Sequence, residues 1–338
     1  MSGMKLLALC QDPQGPVVRH RVRAVVPYLR EAGFADVEVR AIPDAWARRR
    51  AALQAARGFD VVLLVRKLFT GWDLGTLRSA ARRLAYDFDD AVSFRDPSRR
   101  RASSTVRRGR FRNVVRAADV VLAGNAYLAG LAAECAPSRA PVVVAPTPVD
   151  TARYVPPASR PRGARRIGWI GSRSTLPYLR AVAGPLAQVL AARPDARFTV
   201  LADVPPDLPC GVEFVPWSED AEVPWLQSLA VGIMPLSDDP WSRGKCGFKL
   251  LQYMACGVPA VASPVGANVG IAAGGEAALL AADDAAWIDA LSRLLDDAAA
   301  AADLGERGRE ATLRRHAVAV LGPRYAAALV DCARREVP

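Results

Sequence analysis

The chain has 338 residues, a formal net charge of +11 and 51% apolar residues. This length exceeds one ordinary hydrophobic core and suits two α/β domains of about 150 to 170 residues each. Charged residues interrupt every apolar run well before the roughly 20 residues that a membrane-spanning helix needs, so no such helix is expected. The amino terminus has one lysine and a short apolar run before Asp12, which predicts a buried strand rather than a signal peptide. We therefore predict a cytoplasmic location.

The six cysteines are scattered along the chain and form no C-x-x-C pair. The whole sequence contains only two histidines. Neither a structural zinc site nor a disulfide framework is expected, and no metal site is predicted. Cys246 has no histidine near it in sequence, so a small packing residue is favoured there over a nucleophile.

The positive charge lies in the first half of the chain. Residues 1–165 hold 29 Lys and Arg against 14 Asp and Glu, whereas residues 166–338 hold 16 against 20. The densest stretch, RDPSRRRASSTVRRGRFR at 95–112, has the composition of an exposed loop or frayed helix. It is either a solvated surface or a contact for an anionic membrane surface or a phosphate-bearing acceptor. Nucleic acid is not expected, because no recognition helix, zinc finger or aromatic RNA-binding motif accompanies the charge.

Along the chain, short apolar runs alternate with helix-length amphipathic segments. The runs begin at residues 5, 37, 61, 84, 120 and 142, and then at 166, 198, 212, 231 and 259. Continuous Val and Leu runs separated by helices are typical of parallel strands that are buried on both faces. Between the two series, VPPASRPRGARR at 155–166 is rich in Pro, Gly and Arg, which predicts a linker.

We therefore predict an α/β protein with two Rossmann-like, doubly wound domains, residues 1–160 and 161–338, that face each other across a cleft. Parallel sheets bind ligands at the carboxyl ends of their strands, so function is expected in this cleft. The tail from Asp284 onward predicts helices that pack on the second domain, the last of which can cross back to the first.

The stretch GKCGFKLLQYMACGVPAVASPVGANVG, residues 244–270, predicts a short helix with an anion site at its start. Gly257 and the proline that follows it predict where the helix ends. At its start, free N–H groups and the helix dipole favour an anion. Lys245 and Lys249 lie one turn apart and would repel each other unless an anion joined them. They are the only lysines of the second half, which favours a phosphate or diphosphate site over two solvated lysines.

RIGWIGSRST, residues 166–175, predicts a strand followed by a turn that can approach a phosphate. Gly171 leaves room for backbone N–H groups, and Ser172, Arg173 and Thr175 can add hydrogen bonds. The segment has neither G-x-G-x-x-G nor G-x-x-x-x-G-K-[ST], which argues against a nicotinamide or flavin dinucleotide and against an ordinary P-loop ATPase.

These segments resemble a known family. RIGWIGSRSTLPYL and the later VGIMPLSDDPWSRGKCGFKLLQYMACGVPAVASPVGANV are similar to the donor domain of group 1 (family 4) glycosyltransferases. YDFDDAV, AADVVLAGNAYLAGLA and APTPVDTARYVP extend the resemblance over the first half. It implies the GT-B architecture and a retaining, metal-independent transfer of a sugar from a nucleotide diphosphate sugar to an acceptor hydroxyl. The nucleotide sugar would be a co-substrate without a further cofactor, and the acceptor a glycan, a lipid-linked molecule or a small molecule.

By position, the resemblance also implies which residues form the site. Those at the donor diphosphate would be Gly171, Ser172, Arg173, Lys245, Gly247 and Lys249. The two lysines would stabilise charge on the departing diphosphate. Trp217 is a candidate for the nucleobase pocket, or else a core aromatic residue. Asp238, Asp239 and Trp241 would face the sugar, or else form a surface turn.

The sequence departs from the family pattern at three positions. Gly244 and Gln252 stand where many members have glutamates eight positions apart, and Gly270 replaces a further glutamate. Gln252 can still bind a ribose hydroxyl, although without charge. Two alternatives stay open: a catalytically degenerate nucleotide-sugar-binding protein, and a nucleotide-sugar epimerase or hydrolase on the same fold.

YDFDD is the other segment with candidate catalytic residues. Asp87, Asp89 and Asp90 end an apolar strand, and three carboxylates within four residues repel one another unless cations or donors approach them. Asp89 and Asp90 are predicted to contact the sugar or the acceptor, while Asp87 or Asp90 could instead cap the next helix. Calcium or magnesium is disfavoured because the motif is short. His20 is either a catalytic base or a polar residue at a helix start.

Overall fold

The computed structural model describes residues 3–95, 103–137, 140–159 and 165–335. Its strands form two six-stranded sheets. The first contains β1 Met4–Cys10, β2 Phe34–Ala41, β3 Val61–Val65, β4 Leu84–Phe88, β5 Val120–Ala123 and β6 Val142–Val144. The second contains β7 Arg166–Ile170, β8 Arg197–Ala202, β9 Glu213–Pro216, β10 Val231–Met234, β11 Ala260–Ala262 and β12 Leu279–Leu280. The strand orders are β2-β1-β3-β4-β5-β6 and β12-β11-β10-β7-β8-β9.

Every pairing in both sheets is parallel. Helices pack on both faces of each sheet. In the first half these helices are α1 Pro16–Arg21, α2 Val26–Glu31, α3 Trp46–Gln54, α4 Gly71–Ala80, α5 Thr105–Ala117 and α6 Ala126–Ala133. In the second half they are α7 Pro177–Arg180, α8 Ala183–Ala191, α9 Glu219–Gln227, α10 Pro240–Arg243, α11 Phe248–Ala255, α12 Ala267–Ala272, α13 Asp284–Asp296, α14 Ala298–Arg315 and α15 Val318–Arg334. Short 3₁₀ helices span Arg23–Val25, Ala55–Gly58 and Ala273–Gly275. None of the described helices combines the length and the hydropathy that a membrane span requires.

The prediction of two doubly wound parallel sheets is confirmed. All eleven apolar runs form strands, and a twelfth, β12, was missed because two leucines are too short a signal. The proposed domain boundary after residue 160 lies outside the described residues, as do residues 160–164 of the predicted linker and 96–102 of the basic stretch. The remainder of that stretch belongs mainly to α5.

Helix α15 follows α13 and α14 of the second domain in sequence, yet it packs on the first sheet. Its residues Tyr325, Leu329 and Val330 belong to the same buried cluster as Leu6 and Val61 of that sheet. Because the chain returns in this way, two segments connect the domains. Two backbone hydrogen bonds of 2.9 Å join these segments. The N–H of Val149 donates to the carbonyl of His316, and the N–H of Val318 donates to the carbonyl of Val149.

The carboxyl ends of β1, β3, β4 and β5 face those of β7 and β10. Hydrogen bonds cross between them: for example, Asn125 Nδ2 donates to the carbonyl of Lys245 (3.1 Å), and Arg19 Nη2 donates to Glu222 Oε2 (3.5 Å). The cleft where a doubly wound protein binds its ligand is therefore lined by loops of both domains.

Candidate active site

The predicted helix after the lysine pair is α11, and glycines with positive φ stand at both of its ends. Gly247, at the N-cap, has a φ of +69°, in the left-handed region that favours glycine. At the other end, the N–H of Gly257 donates to the carbonyl of Met254 (2.9 Å). The N–H of Val258 donates to the carbonyl of Tyr253 (2.9 Å). This pair of bonds is a Schellman motif, which ends the helix. Lys249 therefore lies in the first turn of α11, and Lys245 in the loop before it.

Lys249 is held over an aromatic ring rather than beside an acid. Its Nζ lies 5.5 Å from the centroid of the Trp169 ring. Among the described residues no carboxylate forms an ion pair with it, as the ion pairs of this region all involve other cations. Burial, and to a smaller extent the nearby charge of Lys245, lowers the pKa of Lys249 to about 7. An anion at this position would reverse that shift.

The turn that contains Gly171 packs against the same tryptophan, Trp169, and lies close to α11. We call residues 171–175 the Gly171 turn. The Trp169 ring packs directly against Gly171, and the N–H of Ile170 donates to the hydroxyl of Tyr253 on α11 (3.0 Å). Ser172 and Arg173 are exposed, and the N–H of Arg173 donates to Asp203 Oδ1 (2.7 Å). The structure thus brings Gly171, Ser172 and Arg173 to the side of the cleft where Lys249 lies.

Lys245 is paired across the cleft. Its Nζ lies 2.8 Å from Asp90 Oδ1 and 5.1 Å from the centroid of the Trp241 ring. The other carboxylate oxygen of Asp90 pairs with Arg66 of the first domain. A carboxylate of the first domain therefore occupies one face of the lysine that was predicted to bind an anion.

The remaining aspartates of YDFDD are also neutralised by cations. Burial alone would raise the pKa of Asp89, but Arg66, Arg21 and Lys245 outweigh it and lower that pKa, so Asp89 is ionised. Asp87 is fully buried and receives two hydrogen bonds from Arg21, of 2.5 and 2.8 Å. The alternative that Asp87 or Asp90 caps the next helix is wrong, because Ser104 caps α5.

Trp217 directly follows β9, and Gln252 lies within α11. Trp217 is 42% exposed, so it is not a core residue, and its ring lies 5.6 Å from the guanidinium carbon of Arg19. Gln252 is buried, and its Nε2 donates to Glu222 Oε1 (2.9 Å) and to the Tyr154 hydroxyl (3.1 Å). Both amide donors of Gln252 are therefore engaged within the protein, which leaves its carbonyl oxygen for a ribose hydroxyl.

Comparison with known proteins identifies this arrangement. Residues 166–297, which contain the Gly171 turn and α11, match the family model described as Glycosyl transferases group 1. This segment is a group 1 glycosyltransferase domain. The family and the enzyme class predicted from the sequence are thereby confirmed. No protein of curated function is significantly similar to the chain in sequence.

The GT-B fold of the glycosyltransferase extends over the whole chain. Anabaena HepE, solved in complex with UDP and glucose, is 16% identical with a TM-score of 0.73, covering 97% of this chain and 100% of its own. Sucrose-phosphate synthase from Thermosynechococcus elongatus is 16% identical with a TM-score of 0.75, covering 97% and 98%. A glycosyltransferase from Rickettsia africae is 11% identical with a TM-score of 0.75, covering 99% and 100%.

The segment before α11, residues 238–247, is called the lysine loop, and in this glycosyltransferase it packs closely on the first domain. Asp239 caps α10 through the N–H groups of Trp241 and Ser242, and Asp238 pairs with Arg243. A Cβ added to Gly244 would lie 2.6 Å from Ala91 Cβ and 2.7 Å from its nitrogen. A glutamate would not fit at position 244 in this arrangement.

Two further candidates have environments that do not suit catalysis. Burial, together with the charges of Arg19 and Arg153, lowers the pKa of His20 to about 3, and its Nε2 accepts a hydrogen bond from Arg19 (3.3 Å). Burial raises the pKa of the Cys246 thiol to about 12, and its Sγ lies 3.2 Å from the carbonyl of Asp89. The first is a poor base at neutral pH, and the second is a packing residue, as expected.

The sequence did not single out several residues that shape this site. Arg66 has a φ of +59°, which is uncommon outside glycine, and pairs with both Asp89 and Asp90. Asn125 caps α6 and holds the lysine loop through the carbonyls of residues 243 and 245. Glu222 is buried beneath Gln252. Only the cap had a local signal, an asparagine just after a strand; the other contacts join residues far apart in sequence.

Within the described residues, no group of three His, Cys, Asp or Glu side chains is arranged to hold a metal.

Proposed function

We propose that this protein transfers a sugar from a nucleoside diphosphate sugar to an acceptor hydroxyl, with retention of anomeric configuration and without a metal ion. The observation that carries the proposal is the position of Lys249. It lies in the first turn of α11, close to the Gly171 turn, with a lowered pKa and no carboxylate partner among the described residues. A half-buried cation without an acid beside it favours an anionic ligand.

In this proposal the donor diphosphate lies between the Gly171 turn and the start of α11. Lys249, Lys245, Arg173 and the free N–H groups near Gly247 stabilise the negative charge that develops on the departing diphosphate. Such electrostatic stabilisation commonly accounts for most of the rate enhancement in reactions of this kind. These cations supply the countercharge that a divalent metal supplies in other transferases. Because HepE of similar fold was solved with UDP and glucose, UDP is the first nucleotide to try.

Retention of configuration can proceed in one step on the same face of the sugar. The bond from the anomeric carbon to the diphosphate oxygen breaks, a bond to the acceptor oxygen forms, and the acceptor's proton passes to an oxygen of the departing diphosphate. No strong protein base is then needed, in keeping with the low pKa of His20. Asp89 and Asp90, both paired with Arg66, would accept hydrogen bonds from hydroxyls of the sugar or the acceptor.

The test is the effect of Lys245→Ala and Lys249→Ala on donor consumption. We expect each change to lower turnover by about 100-fold or more, the magnitude typical for loss of a group that stabilises a transition-state charge. Lys5→Ala, which removes an exposed lysine of the first domain, serves as the control. Thermal unfolding should show all three variants folded. A rate that Lys249→Ala leaves unchanged would remove the assignment.

A second candidate is a degenerate glycosyltransferase that binds a nucleotide sugar without turning it over. The close contact of Gly244 with Ala91 favours it, because no side chain can extend from position 244. Calorimetric binding of UDP together with no release of UDP from UDP-glucose, with or without a panel of acceptors, would support this reading. An epimerase or hydrolase would instead form an epimer or free sugar in the absence of an acceptor.

We also propose that the first domain contacts an anionic membrane surface from the cytoplasm. Helices α3, α4 and α5 contain nine arginines and one acidic residue, Asp73. Two tryptophans on α3 and α4 are strongly exposed, Trp46 by 62% and Trp72 by 89%. Arginine and tryptophan are both suited to the headgroup region of an anionic bilayer.

Flotation with vesicles tests this contact. The protein should float with vesicles that contain phosphatidylglycerol and not with pure phosphatidylcholine. Trp46→Ser with Trp72→Ser should reduce the floated fraction, whereas Leu313→Ser, an exposed apolar residue of the second domain, should not. Equal recovery of all three proteins would contradict the proposal.

A further inference from the structure

A groove runs along the outer face of the first domain between α5 and α6. Its volume is about 380 Å³, and its lining includes Phe94, Arg108, Phe111, Arg112, Arg116 and Leu131. Phe94, Phe111 and Leu131 make part of the lining apolar. Phe94 and Leu131 pack against the buried core that contains Phe111.

One wall of the groove is a row of arginines. Arg108, Arg112 and Arg116 are spaced four residues apart on α5, so they lie on one side of the helix over about 12 Å. All three are exposed, and in the part of the chain that the structure describes the arginine ion pairs do not include them. Glu134 is the one acid of the lining, so the groove has a net positive charge.

The segment that leads from Asp90 into the groove is held in place. The N–H of Val92 donates to the carbonyl of Asp90 (2.7 Å), and that of Phe94 donates to the carbonyl of Ala91 (2.8 Å). Arg107 Nε donates to the carbonyl of Val92 (2.9 Å), which fixes this segment to α5. Four residues span at most about 14 Å, so Phe94 lies within that distance of Asp90.

The direction of the groove follows from the sheet. Helix α5 joins the carboxyl end of β4 to the amino end of β5, so it runs from the cleft edge of the first sheet towards the opposite edge. Arg108 is therefore the arginine nearer the cleft, and Arg116 is further from it. A ligand whose reacting hydroxyl lies at Asp89 and Asp90 could extend along this row.

We propose that the groove binds the acceptor, and that the acceptor carries a phosphate group on an apolar body. The arginines would pair with the phosphate and the apolar part would cover Phe94 and Leu131. A phosphate dianion would neutralise the net charge of three arginines and one glutamate. This inference rests on the proposed sugar transfer for the role of the ligand, but the binding site itself can be tested without turnover.

The experiment measures binding of dodecyl phosphate, below its micelle concentration, to the full chain by calorimetry. We compare the wild type, the double variant Arg108→Ala with Arg112→Ala, and a control double variant, Arg180→Ala with Arg314→Ala, which removes the same charge from exposed positions of the second domain. Inorganic phosphate and phosphatidylglycerol vesicles are measured beside it. Thermal unfolding checks that each variant is folded.

We expect dodecyl phosphate to bind the wild type and the control alike, and the groove variant at least about tenfold more weakly. Inorganic phosphate, which lacks the apolar body, should bind the wild type at least about tenfold more weakly than dodecyl phosphate. Absence of binding to the wild type, or an equal loss in both double variants, would overturn the groove. Groove-dependent binding of vesicles without binding of soluble dodecyl phosphate would show a membrane contact instead, and would also overturn it.

Failure of the proposed sugar transfer would look different. In that case UDP would not bind, or Lys249→Ala would not affect donor consumption, while dodecyl phosphate binding would still depend on Arg108 and Arg112. Conversely, the groove variant could bind both UDP and dodecyl phosphate as the wild type does. That result would refute the acceptor site in the groove and leave the donor site intact.

Discussion

The charge of Lys249 depends on whether an anion is bound beside it. Its lowered pKa, about 7, arises first from burial and then from Lys245. Between pH 7 and the ordinary lysine range the unfolded chain holds this proton and the anion-free folded chain does not. The contribution of Lys249 to folding stability therefore rises with pH over that window.

This pKa predicts a pH-dependent affinity for UDP. If the bound diphosphate requires charged Lys249, the dissociation constant should rise about 15-fold between pH 7 and pH 8.5, as the charged fraction falls. Calorimetry in buffers of different ionisation enthalpy should also show uptake of a proton on binding. Lys249→Arg, which stays charged throughout, should remove most of the pH dependence. The same pH profile in both proteins would mean that Lys249 does not contact the anion.

Asp90 competes with an anionic ligand for Lys245. Replacing it, Asp90→Asn, should tighten UDP binding about fivefold, since a partly exposed ion pair contributes on the order of 1 kcal/mol. Turnover should fall at the same time, because Asp90 is also a candidate contact for sugar or acceptor. Asp60→Asn, at the opposite edge of the first sheet, controls for net charge. Weaker UDP binding to Asp90→Asn than to this control would show that Asp90 helps to hold the donor.

At the scale of residues, the sequence predicted the cations and glycines of the second domain because they are close in sequence. The lysine pair, the Gly171 turn and the end of α11 all have local signals. The partners of these residues come from the first domain: Asp90 is 155 positions from Lys245. Sequence spacing carries no information on such pairs, so Arg66 and the pairing of Lys245 were missed.

At the scale of elements, the lysine loop and α11 depend on glycine at position 244. The variant Gly244→Ala should separate this loop from the first domain, because the added methyl would overlap Ala91. We expect a lower melting temperature and faster amide exchange in residues 238–247. Gly270→Ala is the matched control, since a Cβ there meets nothing within 4 Å and alanine favours the helix α12. Equal melting temperatures for the two variants would contradict the contact.

Elements of ordinary length were predictable because each strand is a continuous apolar run that is buried in the sheet. Strand β12, with two residues, has no such run. The basic stretch is less regular in composition, and its helix α5 was expected only as a loop or frayed helix. A serine cap at Ser104 and the inward positions of Phe111, Val114 and Val115 stabilise that helix in spite of its five arginines.

At the scale of the molecule, the last helix links the two domains. Leu329 on α15 is fully buried against the first sheet, so Leu329→Ala should cost about 2 to 5 kcal/mol of unfolding free energy. Hydrogen exchange should increase in β1, β3 and β5, although the mutated residue follows the second domain in sequence. Leu294→Ala on α13 should instead affect the second sheet, where Leu294 is buried. Faster exchange of the second sheet alone in Leu329→Ala would contradict this packing.

A crystal structure of the protein with UDP tests the proposed donor site most directly. We expect a diphosphate between the Gly171 turn and the start of α11, with Lys249 Nζ in contact with it and Lys245 turned from Asp90 towards it. UDP bound elsewhere, or Lys249 still over Trp169 with no phosphate oxygen in contact, would contradict it.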